Sequence, residues 1–209
     1  AILFMLVAGA VSSVYKEEGN MRVLQGEKSD YAQKLFKHDI EVFAFDEEGD
    51  RENPAIIRSE IIKGLGKEDE LEASFEKFDF ALEIEKYLPY SELALDSPTT
   101  RPPNNEKVVD GFFLVEVEKD TKTEERNTPG CYVRIKDKND DLIQQLVLWA
   151  GNPYPVTFNH EGKRYGVTYL MEIWPMPFEV ELHKTFGENH PGTEIPSWFQ
   201  SNIVKVDGS

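Results

Sequence analysis

Apolar and polar residues alternate along much of the chain. Phe78, Phe80, Leu82 and Ile84 fall on one face of an extended stretch, with Asp79, Glu83 and Glu85 opposite. That is the period of a strand with one face in a core and the other in water, so the carboxylates are expected to form a solvated β-face. The same alternation marks 40–45, 111–118, 132–136, 142–149, 164–173, 178–183 and 203–206. So many short strands with polar turns between them predict a mainly β chain: an antiparallel β-sandwich or distorted barrel with few short helices.

Helical signals are sparse. Ser29-Asp30 has the chemistry of a cap for a short helix through Ala32, Leu35 and Phe36, and Ile57, Ile61, Ile62 and Leu65 are spaced for one or two turns. Residues 97–107 (SPTTRPPNNEK) are rich in proline and asparagine, which predicts an exposed loop and a candidate sub-domain boundary. A second loop, 119–130, is densely charged and ends in Pro129-Gly130, a turn signal ahead of the strand that Cys131 begins.

The first fourteen residues, AILFMLVAGAVSSV, carry no charge and no proline. Such a segment reads as a signal-peptide core, a buried helix, or the far end of a transmembrane helix, which needs about 20 apolar residues in full. A signal peptide would show a basic stretch before its apolar core, so the third reading is preferred. Residues 1–15 are then a truncated transmembrane anchor, with Tyr15 at the membrane interface, and 16–209 a β-rich domain outside the cytoplasm.

Composition narrows the partners. Hydrophobic residues make up 40% of the 209, enough for a folded core. The formal net charge of −16 repels a phosphate backbone and argues against nucleic acid. A single cysteine, Cys131, permits neither an intrachain disulfide nor a Cys-x-x-Cys redox pair. It is expected to be a small buried hydrophobe.

Candidate chemistry is thin. His183 and His190 could hold a metal or haem through neutral imidazole, but His183 falls on the polar face of its strand and His190 precedes a Pro-Gly turn. His38 and His160 are weaker candidates still. The chain shows no nucleophile elbow, phosphate-binding glycine loop, zincin motif or EF-hand. Catalytic residues, resident cofactors and metals are therefore not expected, and Trp149, Trp174 and Trp198 are read as core-filling.

The most distinctive run is 164–207, RYGVTYLMEIWPMPFEVELHKTFGENHPGTEIPSWFQSNIVKVD. It contains Met176-Pro177-Phe178, then an amphipathic strand over Val180 and Leu182, then His190-Pro191-Gly192-Thr193, then Ile195-Pro196-Ser197-Trp198-Phe199-Gln200-Ser201. In order and spacing this resembles the ResB-like family of cytochrome c biogenesis proteins. The upstream run MRVLQGEKSDY, starting at Met21, is a fainter echo of the same family.

The resemblance implies a domain on the outer face of the bacterial cytoplasmic membrane or in a thylakoid lumen. It would act with a CcsA-like haem-handling membrane protein to attach haem to apocytochrome c. In that setting the chain is expected to be a non-catalytic scaffold, with haem handled by the complex, and the motif residues Pro177, Phe178, His190, Pro191, Gly192, Thr193, Pro196, Phe199 and Ser201 are expected to be structural. Two alternatives stand beside it: a membrane-anchored β-domain that binds carbohydrate or another envelope ligand, and a self-contained hydrolase.

Overall fold

The computed structural model describes residues 19–66, 69–103 and 106–207, apart from the Asp207 side chain. The strands are β1 (Gly19–Asn20), β2 (Lys28–Phe45), β3 (Arg51–Ile57), β4 (Leu71–Ser74), β5 (Phe80–Leu88), β6 (Ser91–Leu95), β7 (Phe112–Glu116), β8 (Gly130–Asp137), β9 (Leu142–Trp149), β10 (Val156–His160), β11 (Lys163–Asn189) and β12 (Pro196–Asp207). The short helix α1 (Ser59–Lys63) and a 3₁₀ turn at Glu124–Arg126 complete the described elements. The chain is mainly β with antiparallel sheets, as the alternation predicts, and no sheet closes into a barrel. The anchor expected at 1–15 lies outside the described residues. Among the described residues no helix is long and apolar enough to cross a membrane.

Two compact units share the chain: residues 36–172, and residues 19–35 together with 173–207. The backbone passes between them within β2 and β11.

In the 36–172 unit, β3, β2, β11 and β10 form one sheet and β4, β5, β8 and β9 another. Alternation explains how they meet. Ile40, Val42 and Ala44 of β2 and Tyr165, Val167 and Tyr169 of β11 point into the same buried cluster as Phe80, Leu82 and Ile84 of β5, Cys131, Val133 and Ile135 of β8, and Leu146 and Leu148 of β9. This is a two-sheet sandwich core. Cys131 is wholly buried in it, and desolvation pushes its thiol far above the ordinary range, so it is inert. An aromatic group closes one end, with Phe80 and Tyr165 edge to face at 4.9 Å.

Opposite parity in the second sheet builds a smaller layer. Tyr132, Val147 and Trp149 point away from the sandwich and pack with Leu88, Leu93, Val109 and Leu114 under the β6–β7 hairpin. Two polar contacts pin it. The Leu114 N–H donates to the Tyr132 hydroxyl at 2.8 Å, and Trp149 Nε1–H donates to the Ser91 carbonyl at 2.9 Å.

Two sequence expectations are corrected here. Ser29-Asp30 caps no helix: the segment lies in β2, where Gly19 and Asn20 pair with Lys34 and Gln33, and the Ser29 hydroxyl donates to the Tyr31 carbonyl. Strand partners outweigh weak local propensity. The carboxylate face of β5 is also not simply solvated. Glu83 is buried, takes a fork of two 2.9 Å bonds from Arg134 on β8, and lies 2.9 Å from Lys136. The ladder continues through Glu85, which faces Arg134 at 3.3 Å and also pairs with Lys107, and through Lys86 and Glu106 at 2.8 Å. Hydrogen bonding from Arg134 holds the Glu83 carboxyl below its usual range.

Removing that one carboxylate takes away the buried partner that Arg134 and Lys136 share and leaves them to the more exposed carboxylates, Glu85 and Asp140 among them. Glu83→Gln is expected to lower unfolding free energy by about 2 kcal/mol, less than for a fully buried pair because both cations keep some solvent. Urea denaturation measures it. A loss under about 0.5 kcal/mol would mean that the ladder adds nothing beyond surface pairing.

A candidate docking ribbon

The unit made of 19–35 and 173–207 holds every residue of the motif run after Ile173. From Phe178 onward β11 pairs with β12, Phe178 opposite Asp207 and Asn189 opposite Pro196. At its base the Gly26 N–H donates to the Leu182 carbonyl at 2.7 Å, and the Leu182 N–H donates to Glu27 at 3.1 Å. Pro175 and Pro177 precede the first β12 pair, Phe178 opposite Asp207, so their missing N–H groups interrupt no pairing with β12.

The end of the ribbon is a turn built from the His-Pro-Gly-Thr motif. Pro191 supplies the fixed φ, Gly192 sits at φ 75°, and the Thr193 N–H donates to the His190 carbonyl at 3.0 Å, the arrangement of a type II turn. Thr193 Oγ1 then donates to the His190 carbonyl at 3.1 Å and accepts from the Ile195 N–H at 3.2 Å. Ser197 Oγ donates to the Glu188 carbonyl at 2.8 Å, and Trp198 Nε1–H donates to Glu188 Oε2 at 3.2 Å.

What this turn positions is apolar surface. Directly opposed residues share a face, so Leu182, Ile203, Gly187 and Phe199 lie on one side, and Phe186, Trp198 and Val204 on the other. Gly187 has a packing reason: a Cβ there would stand 3.0 Å from the Phe199 ring, which covers it. The outer side of that ring stays open. Phe199 is 76% exposed and Ile203 61%, while Phe186, Trp198 and Val204 are each more than a third exposed. Lys184 lies 4.8 Å over Phe186 and Lys205 the same distance over Phe178, which leaves cationic heads beside the rings. A two-stranded ribbon with large apolar residues open on both sides has the character of an interaction surface.

The structure gathers Pro177, Phe178, His190, Pro191, Gly192, Thr193, Pro196, Phe199 and Ser201 onto this one ribbon. His183 sits at a register shift, exposed, with Nε2 3.2 Å from Glu181 Oε1, and His190 is exposed in the turn. Trp149 is a packing residue as expected, but Trp174 and Trp198 are partly open, Trp174 beneath the Lys34 ammonium at 5.5 Å. Compared with protein-family models and with curated proteins, the chain matches none.

One histidine ranked low in the sequence has close acidic neighbours. Asp79, His160 and Glu161 bring their ligand atoms within 4.8 Å of one another, His160 Nε2 standing 3.5 Å from Asp79 Oδ1. Lys138 and Lys163 line the same hollow as Asp79 and Glu161. The carboxylates thus have cationic neighbours of their own, and the cluster ties the start of β5 to the β10–β11 turn.

Proposed function

We propose that this chain is a non-catalytic docking domain of a membrane-bound c-type cytochrome maturation complex, held outside the cytoplasm and working through the β11–β12 ribbon. The observation that carries the proposal is the concentration of the ResB-like motif on that ribbon: its turn residues shape the end, and its aromatic residues are the open surface. A fold-holding motif would be expected to bury its aromatics. Here Phe199 is among the most exposed large side chains of the chain.

The partners are a CcsA-like haem-handling membrane protein and apocytochrome c, with haem as cargo of the complex and not a resident group of this domain. The apolar stretch at 1–14 supplies the anchor, and a net charge of −16 favours basic segments of an apocytochrome.

Co-purification tests this. The intact membrane protein is expected to retain a CcsA-like partner together with haem. The double variant Trp198→Ser, Phe199→Ser is expected to cut recovery about tenfold or more, as loss of exposed aromatic anchors does, while the melting temperature stays nearly unchanged. Undiminished recovery by the variant would overturn the ribbon's role. Specific glycan retention by a protein that captures neither partner would replace the proposal with the carbohydrate-binding alternative.

A further inference from the structure

The 36–172 unit contains a cavity of about 390 Å³ that the docking role does not use. Its apolar wall comes from Phe36, Leu65, Tyr87 and Tyr90. Several of its polar groups are already committed. Lys119 pairs with Glu124 at 3.2 Å, and Asn127 is tied to the Asp120 backbone in both directions, at 2.8 and 2.9 Å. Tyr87 shares a hydrogen bond with Tyr169.

His38 is 7% exposed and lines the cavity, its ring in edge contact with Tyr169 at 6.0 Å. Desolvation, helped by Lys63, lowers its pKa to about 4, so at neutral pH the ring keeps one donor and one acceptor nitrogen. Lys63 Nζ donates to the Phe36 carbonyl at the solvent-exposed rim of the cavity, with the Glu60 and Glu172 carboxylates also in its electrostatic surroundings. Phe36 reaches that carbonyl position with φ 74°, a conformation that strains a bulky residue and is held only where the surroundings enforce it. Backbone strain, a largely buried imidazole and a rim ammonium thus converge on one partly apolar cavity, whose volume falls within the range of ligand pockets.

We infer that this cavity binds a small organic carboxylate with an aromatic or branched apolar body, its carboxylate on Lys63 and His38 and its body against Phe36, Leu65 and Tyr90. A rim ammonium beside a neutral imidazole favours a carboxylate over a neutral head group, through charge-assisted hydrogen bonds. The aromatic wall favours a flat apolar body over a sugar or inorganic phosphate.

Titration of the full chain with 3-phenylpropanoate, followed by amide NMR shifts, tests the site. Saturable shifts centred on 36–38, 63–65 and 87–90 are expected. The neutral isostere 3-phenylpropan-1-ol, and separately the acid against Lys63→Met, should each bind about tenfold more weakly, as loss of a charge-assisted hydrogen bond predicts. Inorganic phosphate should not displace the acid. No saturable binding at millimolar concentration, equal affinity for acid and alcohol, or shifts centred elsewhere would each overturn the inference. The acid–alcohol comparison uses the unaltered protein, so it stands even where Lys63→Met fails to fold.

Discussion

Lowering the pH from about 7 to about 4 is expected to cost the 36–172 unit about 3 kcal/mol through His38 alone. In the folded chain burial holds the His38 pKa at about 4, against 6.5 when unfolded. Above the unfolded value the ring is neutral in both states and contributes no pH slope. Between roughly 6.5 and 4 the unfolded chain takes up a proton that the folded chain refuses, so stability falls as pH falls. Below about 4 both states are protonated and the slope ends.

Carboxylates with lowered folded values, Glu83 and Asp137 among them, add slope in the same direction as they protonate. The test therefore compares two proteins. Urea denaturation of the parent and of His38→Gln at pH 7.5, 5.5 and 4.0 should show the parent losing about 3 kcal/mol more over that interval. Parallel curves would mean that the ring is solvated or paired in solution, and would also weaken the case for its role in the cavity.

Truncating Leu82 to alanine is expected to destabilise the same unit by about 3 kcal/mol. Leu82 is fully buried in the first half of β5, opposite Ile135, on the face that carries Phe80 and Ile84. Both sheets enclose the site, so the backbone has little freedom to collapse into the space left by the lost methyl groups, and the cavity adds to the transfer cost. Leu95→Ala is the matched control. Leu95 is 55% exposed on the β6–β7 hairpin, and its truncation should cost no more than about 0.5 kcal/mol. Equal losses from the two variants would contradict the layered packing described for this unit.

Much of the sandwich could be read from alternation because its strands bury one face. The segments 142–149 and 132–136 became β9 and the centre of β8 on that signal alone. Where the reading slipped, a three-dimensional partner was the deciding influence. β5 keeps the strict period of two only to Ile84; the register shift between Ile84 and Lys86 then resets parity, so that Tyr87 rejoins the core. Two predicted strands, 164–173 and 178–183, form the single strand β11, with the prolines between them placed before its pairing with β12 begins at Phe178.

The ribbon was legible as a motif but not as a surface. Pro191 and Gly192 announce a turn, whereas nothing in Trp198-Phe199 says that these rings stay open, since exposure depends on what fails to cover them. The cavity was missed although a signal existed. His38 shares the parity of Ile40, Val42 and Ala44, which places it on the core face of β2, and a histidine on a core face calls for a partner. Lys63 had no such mark, for it meets the Phe36 carbonyl only through the fold.

We propose that the ribbon is where this domain meets the haem-attachment machinery. A photo-crosslinking amino acid at Phe199 of the full-length protein tests it in cells, with the same group at Tyr154, 75% exposed in the other unit, as the control position. The account predicts light-dependent adducts from position 199 to a CcsA-like membrane protein or to apocytochrome c, and none from position 154. Absence of those adducts at 199, or equal adducts at both positions, would contradict it.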